Sequence, residues 1–301
     1  MSARLSGVVL GLGHMGAHHL RKLAARGDVR IRAFDPPKGL DGPIGSPDFA
    51  VIAVPTRLHL EAALPLLEAG VPCLMEKPLA SSLEEASRLV AFPHCLPGHI
   101  ERFNPVFQVL EGARPRYLEA ERMGPPSGRS DDVDVVLDLM IHDLDLVLWL
   151  LPSPVKELRA VGLGLPRGPD QIAQGPDIAN LRLETQDGRV ATLSASRISR
   201  RNTRRLRLFT ERDYWSLDLG LRRAERIRWA DGSLEAQAVP VPPVDPLEAE
   251  HQALLDHVRG ERPYPLNAHD GLAALELALQ VTRSMARGDA RQGDHPKKPQ
   301  E

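Results

Sequence analysis

Cysteine is nearly absent from this chain of 301 residues, where Cys73 and Cys95 are the only two. That argues against a disulfide framework. Both lie in apolar, strand-like surroundings and read as reduced core residues of a cytoplasmic protein. Charge of one sign is lacking as well. With 38 Lys and Arg against 40 Asp and Glu, the formal net charge is −2, which offers no broad field for nucleic acid or an anionic membrane. No uninterrupted apolar run reaches the ~18 residues that a membrane-spanning helix requires, and no signal-peptide pattern is read at the start. Cys and His nowhere take metal-ligand spacing, so no metal site is expected. Lysine is scarce among the basic residues, which sets Lys77 apart.

What is present begins with glycine. Gly11-Leu12-Gly13-His14-Met15-Gly16 follows the apolar run Val8-Val9-Leu10 and opens a segment of good helix formers, Ala17 to Ala25. A second apolar run, Val29 to Phe34, ends at Asp35. This is a strand, a glycine turn, a helix and a strand within about 30 residues. The glycines divide the work of the turn. Gly11 makes the tight bend, Gly13 lets the backbone approach phosphates, and Gly16 allows close helix packing. Backbone N–H groups and the positive end of the helix then meet a pyrophosphate, so the expected ligand is a dinucleotide. Asp35 is placed to accept from ribose hydroxyls and to repel a 2′-phosphate, which favours NAD over NADP. Arg32 and Lys38 stand close enough to receive a phosphate, so NADP stays open. His14, His18 and His19 read as decoration of the first helix, with His14 and Met15 inside the cofactor turn.

The same alternation continues. Phe49 to Val54, Pro72 to Met75 and Cys95 to Ile100 read as buried strands, Leu58 to Ala69 and Ser81 to Ala91 as helices, the latter capped by Ser81 or Ser82. Pro36 to Pro47, rich in Pro and Gly, stands where a further helix and strand are usual. The expectation for residues 1–101 is an α/β Rossmann domain, a doubly wound parallel sheet covered on both faces.

Beyond residue 101 the pattern changes. Asn104-Pro105 opens a short helix through Val109, Arg116 to Arg122 reads as a strand, and Asp134 to Leu151 as a long apolar helix. Segments from Ile178 to Leu219 alternate as antiparallel strands do, with Asp187-Gly188 a hairpin turn. Leu247 to Val258 and Gly271 to Ala286 close the chain as helices. Residues 102–288 are thus expected to form an α+β domain with a mostly antiparallel sheet, and 289–301 a disordered tail.

Two places carry candidate chemistry. Glu76-Lys77-Pro78 follows a buried strand, and strand carboxyl ends face the ligand crevice of an open α/β sheet. Lys77 there can steady a developing alkoxide, with Pro78 fixing the local backbone; the same tripeptide also makes an ordinary surface turn. Asp138 and His142, four apart, share a helical face. A carboxylate that sets the histidine tautomer makes a general base. Asp134, Asp138, His142 and Asp145 also describe a polar stripe turned to solvent or a domain interface.

Taken together, the glycine turn, Val54-Pro55-Thr56 followed by His59, Glu76-Lys77-Pro78 and Asp138-xxx-His142 resemble the glucose-fructose oxidoreductase / inositol dehydrogenase / MocA family, from the turn to about residue 288. The resemblance implies a Rossmann domain, a second domain with an open-faced sheet, and a homodimer or homotetramer built on that sheet. It implies that Lys77, Asp138 and His142 match the family's catalytic positions, and that Val54, Pro55, Thr56, His59 and Glu76 belong to the cofactor side. Gly98-His99-Ile100-Glu101-Arg102-Phe103-Asn104-Pro105 and Asp138 to Asp143 resemble members that oxidise the 3-hydroxyl of UDP-N-acetyl sugars. On that likeness Arg102 and Asn104 join Lys77 and His142 around the substrate. Asn104 reads equally as a helix cap, and Arg102 as a partner of Glu101 or a neighbour.

The expected function is therefore NAD(P)-dependent oxidation of a secondary hydroxyl on a sugar or sugar nucleotide, or the reverse reduction. A polyol such as inositol or a non-sugar carbonyl is the alternative within the same fold, and a catalytically silent NAD-binding regulator the alternative outside enzymes.

Overall fold

A computed structural model describes residues 4–110, 112–126, 134–165, 175–230 and 232–292. The chain divides into two compact units. One takes the chain up to Pro105 together with Pro243–Leu275; the other takes Val106–Pro242 and the chain from Glu276.

The first unit is built on five parallel strands, β1 (Leu5–Leu10), β2 (Val29–Phe34), β3 (Phe49–Ile52), β4 (Cys73–Glu76) and β5 (Cys95–Gly98), in the order β2-β1-β3-β4-β5. Their register runs Val9 beside Ala33 and Val51, then Val51 beside Leu74 and Leu74 beside Leu96. Every residue of β3 is fully buried, as expected of a parallel strand covered on both faces. The connecting helices are α1 (His14–Ala24), α2 (His59–Glu68) and α3 (Leu83–Val90). Ser82 caps α3, its hydroxyl accepting from the Glu85 N–H at 3.2 Å. After β2 the chain makes only a 3₁₀ turn, Pro36–Lys38, so the shortened stretch read from the sequence carries no further strand before β3. Cys73 and Cys95 are register neighbours on β4 and β5, both free and buried. Burial pushes the Cys95 thiol up to about 12, leaving it unreactive.

One assignment is corrected here. Residues 243–275, placed in the second domain by the sequence reading, belong to the first unit. They hold α5 (Pro246–Val258) and the start of α6 (Ala268–Gln292). Leu254 and Leu255 of α5, with Tyr264 and Leu266, pack into one core with Val9, Leu23, Val51, Leu74 and Leu96. The apolar stripe of α5 demands a partner but does not say which, and the choice is a long-range one.

The second unit carries eight strands: β6 (Tyr117–Met123), β7 (Val155–Leu163), β8 (Ile178–Thr185), β9 (Val190–Ser196), β10 (Thr203–Phe209), β11 (Asp213–Asp218), β12 (Arg223–Ala230) and β13 (Ser233–Val239). Their order is β13-β12-β11-β10-β6-β9-β8-β7, antiparallel except for the β6–β9 pair. Three of them, β7, β12 and β13, are not expected from the sequence. Val161, Leu163, Trp229 and Leu234 are exposed on those strands, so the burial alternation that marks a strand is weak there. The Asp187-Gly188 turn joins β8 to β9, with Gly188 at φ +80°. One sheet face buries Leu118, Leu193, Leu206 and Leu217. The other presents Glu119, Glu121, Arg205 and Arg207, with Arg207 Nη1 donating to Glu119 across the strands at 3.1 Å.

The segment read as one long helix is two: a π-helical turn, Val136–Met140, leading into α4 (Ile141–Leu150). Asp134 caps it, accepting from the N–H groups of Val136 and Leu137. Pro105–Leu110 is a 3₁₀ helix, not an α-helix. At the chain's end, α6 runs to Gln292, so 289–292 are helical where disorder was expected, and 293–301 lie outside the described residues. Among the described residues no helix is long and apolar enough to cross a membrane.

Candidate functional site

All five strands of the first unit point the same way, so their carboxyl ends line one edge of the sheet. The order reverses between β1 and β3, the switch point where open α/β sheets bind ligands. The glycine turn lies there. Gly11 has φ +86°, and a Cβ on it would come within 2.7 Å of Ala53 O and Val54 N. A Cβ on Gly16 would sit 1.9 Å from Gly11 O. Those two glycines are required by the chain's own packing. Gly13 is different: a Cβ there would meet nothing within 4 Å.

That open space lies at the start of α1, whose N-cap is Gly13, with no side-chain cap and no acidic residue in its first turn. The helix itself thus places no acid or side-chain cap at its positive end, which fits a pyrophosphate approaching the backbone. His14 is exposed and Met15 half-buried beside it.

Asp35, at the end of β2, turns its carboxylate back to the glycine turn. Its Oδ2 accepts from the Leu12 N–H at 2.7 Å and faces Lys38 Nζ at 3.4 Å. Lys38 also donates to the Leu12 carbonyl. Arg32, the other cation considered for a phosphate, donates instead to the carbonyls of Pro43 and Ile44. Of the two, Lys38 is thus the basic residue that lies beside Asp35 and the glycine turn.

After β3, Val54 and Pro55 lead into the 3₁₀ turn Thr56–Leu58. His59 is buried, its Nε2 3.0 Å from Val54 O and its Nδ1 3.3 Å from Leu79 O. Burial holds its pKa below the ordinary histidine value. The ring is therefore committed to main chain and contributes to the site by bracing the loops after β3 and β4.

β4 ends at Glu76, followed by Lys77 and a cis peptide to Pro78. Glu76 Oε1 accepts from His19 Nε2 at 2.7 Å, and its Oε2 from the Lys77 N–H at 3.3 Å. Burial alone would push this acid up, but the hydrogen bond from His19 and the charge of Lys77 outweigh it and hold the pKa below the usual value. After β5, His99, Glu101 and Asn104 are buried, and Asn104 Nδ2 donates to Glu101 Oε2 at 3.2 Å. Arg102 pairs with Asp270 at 3.8 Å.

The remaining candidates lie in the second unit. Asp138 falls in the π turn and His142 in the first turn of α4, both half-buried. The expected stripe breaks up around them: Asp134 is the cap, and Asp145 is buried. Asp143, next to His142, is buried against Arg122 of β6, with Nε and Nη2 donating to its two oxygens at 3.0 and 2.8 Å.

The sequence reading missed His19. Far from decorating α1, it is wholly buried, with its Nδ1 2.8 Å from His251 Nε2 on α5. A signal existed: Gly16, His19 and Leu23 follow helical spacing and form the buried face of α1.

Residues 28–93 match a family described as an oxidoreductase family with an NAD-binding Rossmann fold, and residues 114–215 match the GFO/IDH/MocA C-terminal domain. The chain is similar to UDP-N-acetylglucosamine 3-dehydrogenase of Acidithiobacillus ferrooxidans, 33% identical over 91% of this chain and 95% of that protein. A solved structure of that dehydrogenase superposes with a TM-score of 0.85, covering 95% of this chain and 99% of the other at 31% identity. Inositol 2-dehydrogenase of Corynebacterium glutamicum is 29% identical over 52% of this chain and 56% of its own length.

Proposed function

Because the chain belongs to the GFO/IDH/MocA family of NAD-binding oxidoreductases, we propose that it oxidises a secondary hydroxyl of a sugar nucleotide, the 3-hydroxyl of a UDP-N-acetylhexosamine. The observation that carries this reading is the place of Lys77, at the carboxyl end of β4 on the same sheet edge as the glycine turn. Similarity along nearly the whole chain to a UDP-N-acetylglucosamine 3-dehydrogenase supports the substrate class.

Bound NAD supplies the hydride acceptor. Gly11, Gly13, His14, Met15 and Gly16 hold its pyrophosphate, Asp35 its adenosine ribose, and Val54, Pro55, Thr56 and Glu76 border it from the neighbouring strand ends. Asp35 favours NAD, since its carboxylate repels a 2′-phosphate; Lys38 beside it is the one feature that favours NADP. The Lys77 ammonium stabilises the alkoxide as the hydroxyl loses its proton. A ring nitrogen of His142 accepts that proton, and Asp138 steadies the imidazole. Arg102 and Asn104 border the sugar nucleotide. Asp143 stays out of the proton transfer, since Arg122 already neutralises it.

The outer face of the eight-stranded sheet supports a homo-oligomer. It interleaves Glu119 and Glu121 with Arg205 and Arg207 beside the ring cluster Tyr117, Phe209 and Tyr214, a surface complementary to a second copy of itself. The two buried thiols, adjacent yet unlinked, suit a reducing cytoplasmic setting.

The test is nicotinamide reduction with NAD or NADP, offered UDP-N-acetylglucosamine and myo-inositol in parallel. Turnover with NAD and the sugar nucleotide is expected. Turnover with myo-inositol alone moves the substrate to the polyol class, a reading favoured by the inositol 2-dehydrogenase match over half the chain. Binding of NAD with turnover of neither points to a regulator.

A further inference from the structure

Two buried histidines that the mechanism above leaves unused extend from Glu76 as a chain of titratable groups. It runs from α5 through α1 to β4: His251 Nε2 lies 2.8 Å from His19 Nδ1, and His19 Nε2 lies 2.7 Å from Glu76 Oε1. Glu76 Oε2 then accepts from the Lys77 N–H. His19 and His251 are 0% and 1% exposed. Water does not compete for the contact between the two rings.

We propose that His251, His19 and Glu76 form a positioning relay that aims the Lys77 turn relative to the helix holding the cofactor phosphates. The proposal rests on the reading of Lys77 as a catalytic residue. Hydrogen bonds are directional where apolar packing is not, so three of them in series set the end of β4 against α1 more sharply than methyl groups would. His19 is the sixth residue of α1, on the helix that opens at Gly13, and Glu76 immediately precedes the lysine. The relay thus couples the two parts of the site that the reaction must hold in register.

The protons are assigned by elimination. Glu76 is ionised and can only accept, so His19 carries its proton on Nε2. With that single proton on Nε2, the relay has His19 accept at Nδ1 and His251 donate from Nε2. That leaves the His251 Nδ1 lone pair facing a buried space where it has no partner. The opposite tautomer would strand an N–H there instead. Burial, helped by the positive charges of Arg26 and Lys22, keeps His251 neutral, its pKa pushed down to about 2. Glu250, the next residue on α5, is 1% exposed. Burial and the charge of Glu76 raise it well above the usual carboxylate range, so it adds no second negative charge. Of the other groups felt by Glu76 or feeling it, Lys77 is the cation and His59 is bound to carbonyls. One anion, Glu76, terminates the relay.

The experiment uses the full chain on whichever of UDP-N-acetylglucosamine or myo-inositol turns over, with the ¹⁵N-imidazole spectrum of the unaltered protein recorded alongside. Neutral Nε2–H tautomers for both His19 and His251 are expected at neutral pH, and a proton on His19 Nδ1 in place of Nε2 overturns the relay whatever the activity. His19→Leu should lower kcat about 10- to 100-fold with KM for NAD changed less than about twofold, the size of a remote misplacement. His19→Gln, which returns a donor near the Nε2 position, should recover most of kcat. Since His19→Leu leaves Glu76 buried without its partner, the double variant His19→Leu, Glu76→Met serves as the stability control. It should regain melting temperature without regaining kcat. If kcat returns with stability, the three groups are only a polar patch of the core and the relay is refuted. Lys77→Ala read in parallel separates the premise from the proposal. Retained turnover in that variant removes the lysine's role and the relay with it; lost turnover together with normal kcat in His19→Leu removes the relay alone.

Discussion

The two candidate catalytic side chains have a buried carboxylate as sequence neighbour, and the two units secure that carboxylate differently. Beside Lys77, Glu76 is held at Oε1 by a histidine that is itself held by another histidine. Beside His142, Asp143 is gripped at both oxygens by the Arg122 guanidinium, with side-chain exposures of 4% and 5%. A bidentate charged pair fixes position and orientation together. A histidine chain fixes direction through tautomers that depend on local burial. The first device is rigid, and the second can be reset by any change in the surrounding polarity.

The largest expected effect comes from breaking the chemistry while leaving the clamp. His142→Ala should lower kcat by about 10²- to 10⁴-fold, the usual span for a general base, with Asp143 still paired and NAD affinity, by fluorescence titration, within about twofold. Unchanged kcat would show the helix to be a polar stripe and nothing more. Next comes breaking the rigid clamp: Arg122→Leu leaves Asp143 as a buried unpaired charge and should destabilise the protein by about 3–5 kcal/mol in denaturant unfolding. Arg122→Leu with Asp143→Leu should return most of that loss. A single variant as stable as the double would mean that the pair contributes nothing beyond packing.

The smallest effect sharpens the polarity around the histidine chain, and its sign follows from linkage. Glu250 has a folded pKa raised above its unfolded value of about 4.5. Its contribution is therefore fully present below that value and is lost as pH rises through the folded pKa. Glu76 runs the opposite way: its folded pKa is depressed, so its contribution is present above about 4.5 and is lost as pH falls through the folded value. Glu250→Gln should then raise the melting temperature by a few degrees near neutrality and leave it unchanged below pH ~4. A gain that persists in acid would place the effect in packing instead of ionisation.

Much of this arrangement was readable from residue order. Gly11, Gly13, Gly16 and Asp35 stand where the strand–turn–helix–strand grammar requires them: packing leaves no room for a Cβ on Gly11 or Gly16, Gly13 faces open space, and Asp35 reaches back to the Leu12 N–H. Ser82 capping α3 and the Asp187-Gly188 hairpin are equally local. Three features that residue order does not show share one cause. The ring of His59 lies between the carbonyls of Val54 and Leu79, the latter 20 residues on. His19 read as decoration because its partner, His251, is 232 residues away. Residues 243–275 were assigned to the wrong unit for the same reason.

By itself the sequence determined features that depend on neighbours within a turn or two of chain: the parallel-strand alternation, the glycine turn with its acid, the strand-end lysine, and the Asp-His spacing. Backbone sterics and hydrophobic period are local quantities, and they are legible locally. Only the tertiary structure decided that α5 would close the first core, that His19 would face His251, and that Arg122 would find Asp143. Those choices belong to burial, which ranks partners by fit in space and is blind to their separation along the chain.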